Sequence, residues 1–537
     1  MLRAFLFIFF IPAYLFSQSQ SQWVDSVYNA MTLDQKIGQL FMVMAFPDGD
    51  IAMHQNTLSQ LKKYHVGGVL FSKGRTMKQI ADTDLYQQHA NIPLLIAADA
   101  EWGMAMRLQD VSPYPYAMTL GALPNDELVY ALAKRMGERK RKMGVHVSFA
   151  PVVDVNTEAT NPIIGVRSFG DRPTRVAKKA QAFMEGLQDA GVIAVAKHFP
   201  GHGASTADSH KTLPRINRSK KALDSIDLVP FKHLISRGLK GIMVGHLDVP
   251  ALDNSGLPIA ASKKVVTQLL QQQLGFNGLV FTDALDMKGI TTAVDSPALA
   301  AFLAGADVLV MPLQLEKAIS AIKTSYANGD ITEARLATSV KKILSAKYAL
   351  GLHQDKAVKT TGNPLKNTFY DTYLRKQIAE QSIVKVHAQK DAFPLQKDTT
   401  AYYVSLGKPS SNDFLYALRE QTTTIQILKN TLKTTALRGR RPVVVGIHAN
   451  TSSPWTSQSL SESDIRILTH LSTYPNVHVV LFAKPYVLSQ LPNLSSFASV
   501  LLAHEQQTAF ANATARLLFG EISPHGIFLL HLHVGDR

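Results

Sequence analysis

The stretch Val192-Ile193-Ala194-Val195-Ala196-Lys197-His198-Phe199-Pro200-Gly201-His202-Gly203, with Asp208-Ser209-His210 just beyond it, decides the fold of this chain. Its first five residues form an apolar run without polar alternation, the pattern of a strand buried on both faces of a parallel sheet. The segment after Ala196 cannot be a helix, because Pro200, Gly201 and Gly203 interrupt it. A buried strand therefore runs into a loop carrying three histidines, a lysine and an aspartate. Titratable groups gathered at the end of a strand point to chemistry.

Seven further apolar runs share the pattern: Ile37–Ala45, Gly67–Phe71, Pro93–Ala98, Val145–Val155, Lys240–Gly245, Asn277–Thr282 and Asp307–Met311. Stretches with helical periodicity, such as Asp126–Met143, Thr174–Ala190, Lys220–Ser236 and Ser262–Leu274, separate most of them. Eight such units over roughly 330 residues predict a (β/α)8 barrel of the TIM type. Asp99 and Glu101 come after the third run, Asp154 lies in the fourth, Lys197 and His198 come after the fifth, His246 after the sixth and Asp283 after the seventh. Parallel strands bring these residues to one rim, where barrel enzymes hold their active sites. A doubly wound open sheet is the alternative, but no glycine-rich dinucleotide fingerprint stands after the first run.

A helix over Ile331–Ala349, capped at Gly351, closes the barrel, which is expected to span 21–352. A polar stretch including Lys356–Pro364 reads as a linker, 353–380. Beyond it a smaller α/β-sandwich domain, 381–537, is expected, with strands at Ala401–Leu406, Thr424–Leu428, Pro442–Ile447, Asn476–Ala483, Ser499–Ala503 and Gly526–Leu530. Residues 1–20 have the charged start and apolar run of a secretory signal peptide, with cleavage near Ser17 or Gln18. Export to the periplasm or the exterior is the expectation. The run is shorter than the roughly 20 residues of a membrane span, an anchor being the alternative, and no other stretch approaches that length. The chain has no cysteine, so neither disulfides nor a cysteine-linked lipid anchor is available. Its net charge of +15 suits an anionic cell-envelope polymer, or else is a scattered solvated surface. No nucleic-acid module accompanies the charge. Nothing in the sequence sets the oligomeric state.

Asp283, after Leu279-Val280-Phe281-Thr282, places a carboxylate at the barrel mouth, where it can attack a carbon electrophile or cap the next helix. Asp286 competes for the role from a turn deeper. Asp208 and His210 can move a proton together, provided the loop folds back on itself. His198, His202, Asp208 and His210 have the composition of a metal site. However, Pro200 and Gly201 break the helical spacing, and Lys197 would repel a cation. No metal or organic cofactor is expected. Lys197 and His198 suit donation to hydroxyls, Asp99 suits acceptance from a vicinal diol, and Arg167 suits an anion or carbonyl. Asp154 and His246 read as buried supports, and His202 as structural.

Three segments, Lys197–Gly203 with Asp208-Ser209-His210, Asn161–Gly170, and Thr282-Asp283-Ala284-Leu285-Asp286-Met287, resemble glycoside hydrolase family 3 in its β-N-acetylglucosaminidase branch. The resemblance covers the whole mature chain. It implies an exo-acting, retaining hydrolase that releases terminal β-linked N-acetylglucosamine from peptidoglycan-type substrates through a glycosyl-aspartate. Asp283 would be the nucleophile, His210 assisted by Asp208 the acid/base, and Asp99, Arg167, Lys197 and His198 the sugar-binding residues. One departure is Trp102 in Asp99-Ala100-Glu101-Trp102-Gly103, where the family commonly has glycine. Two alternatives remain: a β-glucosidase-type member whose acid is a second-domain carboxylate, Glu462 or Glu505, and a non-catalytic envelope-glycan binder.

Overall fold

The computed structural model describes residues 19–530 apart from 355, 356, 359, 361, 430, 431, 433–436, 438–440, 450–452 and 457. The expected signal segment therefore falls almost wholly outside the described residues, as does part of the Lys356–Pro364 stretch. Among the described residues no helix is long and apolar enough to cross a membrane.

Every apolar run of the first half contains a strand: β1 Phe41–Ala45, β2 Gly68–Phe71, β3 Leu95–Ala98, β4 Val147–Ser148, β5 Ile193–Phe199, β6 Gly241–Val244, β7 Leu279–Thr282 and β8 Leu309–Val310. They pair in parallel in the order β7-β6-β5-β4-β3-β2-β1-β8. The ring closes where Phe281 bridges Val308 and the Thr282 N–H donates to the Val308 carbonyl at 3.0 Å. Side chains on both faces are buried, inside against one another and outside against the helices, which explains the absence of polar alternation. The expected barrel is the observed one.

The second sheet has the order β11-β10-β12-β13-β14-β9, parallel except for the edge strand β9, Val384–Ala388, which runs antiparallel to β14, Ser499–Leu502. The others are β10 Ala401–Gly407, β11 Thr424–Ile427, β12 Val443–His448 and β13 Val477–Phe482. Alternate residues divide between two layers. Tyr403, Val444, Val480 and Leu501 join a core that includes Phe414 and Phe510, while Val404, Val445, Val479 and Leu502 pack with Leu468 and Leu471. Gly526–Leu530 is not a strand. The Ile527 N–H donates to Ala122 O at 2.8 Å, and Leu529 lies against Gly121 and Gly170, so this apolar run is buried by lying on the barrel. The expected sixth strand is replaced by β9.

Two lysines are fully buried in the barrel with no counter-ion among the described residues. Lys347 Nζ donates to Gln39 Oε1 at 2.5 Å, and Lys140 Nζ to Ser148 Oγ at 2.8 Å. Burial pushes both amines down to about 7. Above that value the folded state holds a neutral amine while the unfolded state keeps its proton, so stability rises with pH up to the unfolded value near 10.4. Lys347→Met should remove about 2 kcal/mol of the gain in unfolding free energy between pH 7 and pH 9, as read by denaturant titration. An unchanged gain would contradict the neutral amine.

Candidate active site

The rim is built from Lys197 and His198, which the structure places inside β5 rather than on the loop expected after Ala196, and from residues past the C-terminal ends of β3, β4, β6 and β7. After β3, Asp99 accepts from Lys197 Nζ at 2.8 Å and from the Arg107 guanidinium at 2.6 Å. Glu101 accepts from Lys197 Nζ at 2.9 Å and takes both arms of Arg167, at 2.9 and 2.8 Å. The result is an alternating chain, Arg107–Asp99–Lys197–Glu101–Arg167. Burial alone would raise both carboxyls, but their cationic neighbours outweigh it: Lys197 and Arg107 hold Asp99, and Arg167 and Lys197 hold Glu101, well below the usual range. Burial would likewise lower Lys197, and the two carboxylates raise it instead. Arg167, expected to clamp an anion or carbonyl of the ligand, has that geometry filled by Glu101. The sequence places Glu101 on the rim but not in this pairing, because its partners lie 66 and 96 positions away.

After β4, fully buried Asp154 accepts from the backbone N–H of His198 and of His202 and bonds His198 Nδ1 at 2.8 Å. It is the expected buried support, fixing the ring so that Nε2 is left for other contacts. Gly203 makes this turn possible, since a Cβ there would lie 1.9 Å from Val155 O. His202 Nε2 meets Ser209 Oγ at 3.2 Å, and burial lowers its pKa to about 4, in keeping with a structural role. The His198 and His202 rings pack edge-on at 5.8 Å, but the ring nitrogens have different partners: Asp154 for His198, Ser209 for His202 and Asp208 for His210.

Asp283 stands immediately past β7, partly exposed, with Oδ1 accepting the Ala284 N–H at 2.9 Å. Burial would raise this carboxyl, but the charges of His198 and His246, the Ala284 N–H and Lys197 together hold it below the ordinary value. It is therefore an anion at neutral pH. Asp286 is exposed beyond it. Asp208 and His210 do fold back: Asp208 Oδ1 accepts the His210 N–H at 2.9 Å and meets His210 Nδ1 at 3.0 Å. Their loop is anchored near the nucleophile candidate, because the Gly289 N–H donates to Ser209 O at 3.2 Å. A Cβ at Gly289 would come within 2.9 Å of that oxygen. The His210 side chain is 62% exposed, and its ring bonds Asp208 rather than Asp283. The structure thus gathers Asp99, Arg167, Lys197, His198 and Asp283 at the mouth and leaves the dyad on an overhanging loop.

The second domain reaches the rim through Trp455. Its ring lies 6.0 Å from Trp102, which packs edge-on to Tyr116 at 5.0 Å, and 5.9 Å from the Arg167 guanidinium. The aromatic that departs from the family pattern therefore has an aromatic partner from the other domain. Glu505 is buried and accepts from the Tyr116 N–H at 2.9 Å, Thr119 Oγ1 at 2.8 Å and Gln507 Nε2 at 2.7 Å. Burial raises it to about 7. These contacts make it a strut between the domains. Glu462 is exposed at the start of its helix, paired with Arg466.

Residues 32–346 match the Glycosyl hydrolase family 3 N terminal domain. The beta-hexosaminidase A of Pseudoalteromonas piscicida is 30% identical over 491 residues, 82% of this chain and 79% of that protein. A beta-N-acetylglucosaminidase/beta-glucosidase of Cellulomonas fimi is 29% identical over 389 residues, 70% and 68% of the two chains. Among solved structures, a glycoside hydrolase family 3 beta-N-acetylglucosaminidase from Paenibacillus sp. str. FPU-7 superposes with a TM-score of 0.78 at 28% identity, over 93% of this chain and 98% of that one. With the closed barrel, the charged rim and the second sheet already in place, the match over most of the barrel shows that the chain belongs to glycosyl hydrolase family 3 and is a glycoside hydrolase.

Proposed function

We propose that the protein is an exo-acting, retaining β-N-acetylhexosaminidase that removes terminal N-acetylglucosamine from peptidoglycan-type glycans outside the cytoplasm. The observation that carries this reading is the hydrogen-bonded Asp208–His210 pair, held by Ser209 and Gly289 beside the segment that bears an ionised Asp283. A carboxylate at the mouth and a proton carrier on a separate loop are the two parts a retaining glycosidase needs.

In this mechanism Asp283 attacks the anomeric carbon while His210 Nε2 gives its proton to the leaving oxygen. Asp208 holds Nδ1 and so fixes which ring nitrogen faces the substrate. The same histidine then takes a proton from water, which cleaves the glycosyl-aspartate with net retention. Asp99, Lys197 and His198 Nε2 address the hydroxyls of the terminal sugar, and Glu101 with Arg167 holds that set rigid. The exposed dyad must swing inward to reach the glycosidic oxygen. The relatives' names support an N-acetylated sugar, and the net charge of +15 supports an anionic envelope polymer.

His210→Ala should lower kcat/KM on a natural disaccharide by about 10²–10⁴-fold, but by less than about tenfold on an activated aryl glycoside, which leaves without protonation. Equal losses on both would contradict the acid role. The reading itself is tested with aryl β-glycosides that differ only at C2. N-acetylglucosaminide should be cleaved well ahead of glucoside, and the reverse order would overturn the assignment.

A further inference from the structure

A cleft of 810 Å³, lined by none of the rim residues, lies between helices Phe369–Ser382, Asp413–Gln421 and Thr508–Leu518 and the barrel residues Ser112 and Pro113. Its size is that of a small-ligand site, typically ~300–1,000 Å³. We infer that this cleft is a second, non-catalytic site that binds a neutral N-acetylated oligosaccharide segment; the N-acetylated sugar rests on the function proposed above, and the neutrality on the cleft itself.

The cleft is balanced in charge. Arg375, Lys376 and Arg516 line it with Glu380, Asp413 and Glu420, three of each sign. Arg516 is paired with Glu380. In a chain of net charge +15 this balanced surface selects neither a polyanion nor a cation. It offers a neutral ligand hydrogen bonds instead. The Asn512 side chain is exposed, and Ser411 and Thr372 add hydroxyls.

The borders of the cleft are aromatic. Tyr373 shares a helix face with the lining residues Lys376 and Glu380, three and seven positions on, and Tyr416 shares one with Asp413 and Glu420. Tyr373 is 47% and Tyr416 55% exposed, and Phe369 and Tyr370 extend the Tyr373 ridge in the open. The Tyr370 and Tyr373 rings stack at 6.4 Å. Exposed aromatics scattered singly need no explanation, but here a stacked pair stands on one helix and Tyr416 on the other helix that lines the cleft. The C–H faces of a pyranose chain fit such rings, while its hydroxyls and acetamido groups fit the cleft floor.

The test uses the full chain carrying Asp283→Asn, so that an N-acetylglucosamine hexamer is not consumed. Calorimetry should find two classes of site, reduced to one by Tyr373→Ala with Tyr416→Ala. In the active chain the same pair of substitutions should leave aryl N-acetylglucosaminide hydrolysis unchanged and lower kcat/KM on long glycan by about tenfold or more, the scale expected when a second attachment is lost. A single class of site, or two classes indifferent to the tyrosines, overturns the proposal. So does a change of oligomeric state on tyrosine substitution with hexamer binding intact, since the patch would then serve a protein contact. An active chain that cleaves no aryl N-acetylglucosaminide, yet binds the hexamer through these tyrosines, contradicts the function and supports the cleft.

Discussion

Asp283→Asn should reduce turnover of an aryl N-acetylglucosaminide by roughly 10⁴-fold or more, the scale of loss when a catalytic nucleophile is removed. The side chain is isosteric, and its carbonyl can still accept the Ala284 N–H, which Asp283 Oδ1 now accepts at 2.9 Å. The substitution removes the negative charge that His198, His246 and Lys197 stabilise, and with it the electron pair that forms the bond to the sugar. Melting should shift by only a few degrees, because packing at the end of β7 is untouched. Activity near wild type, with an intact fold, would remove Asp283 from the mechanism.

The second large effect concerns Lys197, which is 3% exposed and lies between Asp99 at 2.8 Å and Glu101 at 2.9 Å. Lys197→Ala leaves those carboxylates with only Arg107 and Arg167. Breaking one partner out of a buried ionic set costs about 3–5 kcal/mol, because the remaining charges stay out of water. Activity should fall as well, since the residues that meet the sugar lose their fixed positions. Both carboxyls have depressed pKa values in the fold, so their contribution is present above the unfolded values, near 4, and is lost as pH falls through the folded ones. The stability deficit of the variant should therefore be largest at neutral pH and shrink in acid. Denaturant titrations at pH 7 and pH 3 check this, and a deficit that grows in acid would contradict it.

The barrel is legible in the sequence because eight buried strands leave eight apolar runs, and a parallel strand puts its C-terminal neighbour on the rim whatever the loops do. Asp99, Lys197, His198 and Asp283 can be read for that reason. The fold-back of Asp208 and His210 is legible as a requirement, and one shared Oδ1 meets it. The long-range partners are hidden. Glu101 is placed on the rim by its position after β3, but its ion pairs appear only when Arg167 and Lys197 arrive from later units. Trp455 shows no sign of reaching Arg167, because the docking of the second domain sets that approach. Gly526–Leu530 mimics a strand because an apolar run reports burial and not the surface that buries it. The strand that replaces it, Val384-Lys385-Val386-His387-Ala388, does carry a period-two pattern, partly masked by its exposed edge.

The most direct measurement is the mass of the protein after reaction with an activated aryl N-acetylglucosaminide, made on His210→Gly. That variant should form the glycosyl-enzyme readily with the good leaving group and hydrolyse it slowly, because the same histidine activates the water. The expected result is one added N-acetylglucosamine residue, located by peptide digestion on Asp283. Hydrolysis with no covalent species, or sugar attached to a different carboxylate, would contradict the account.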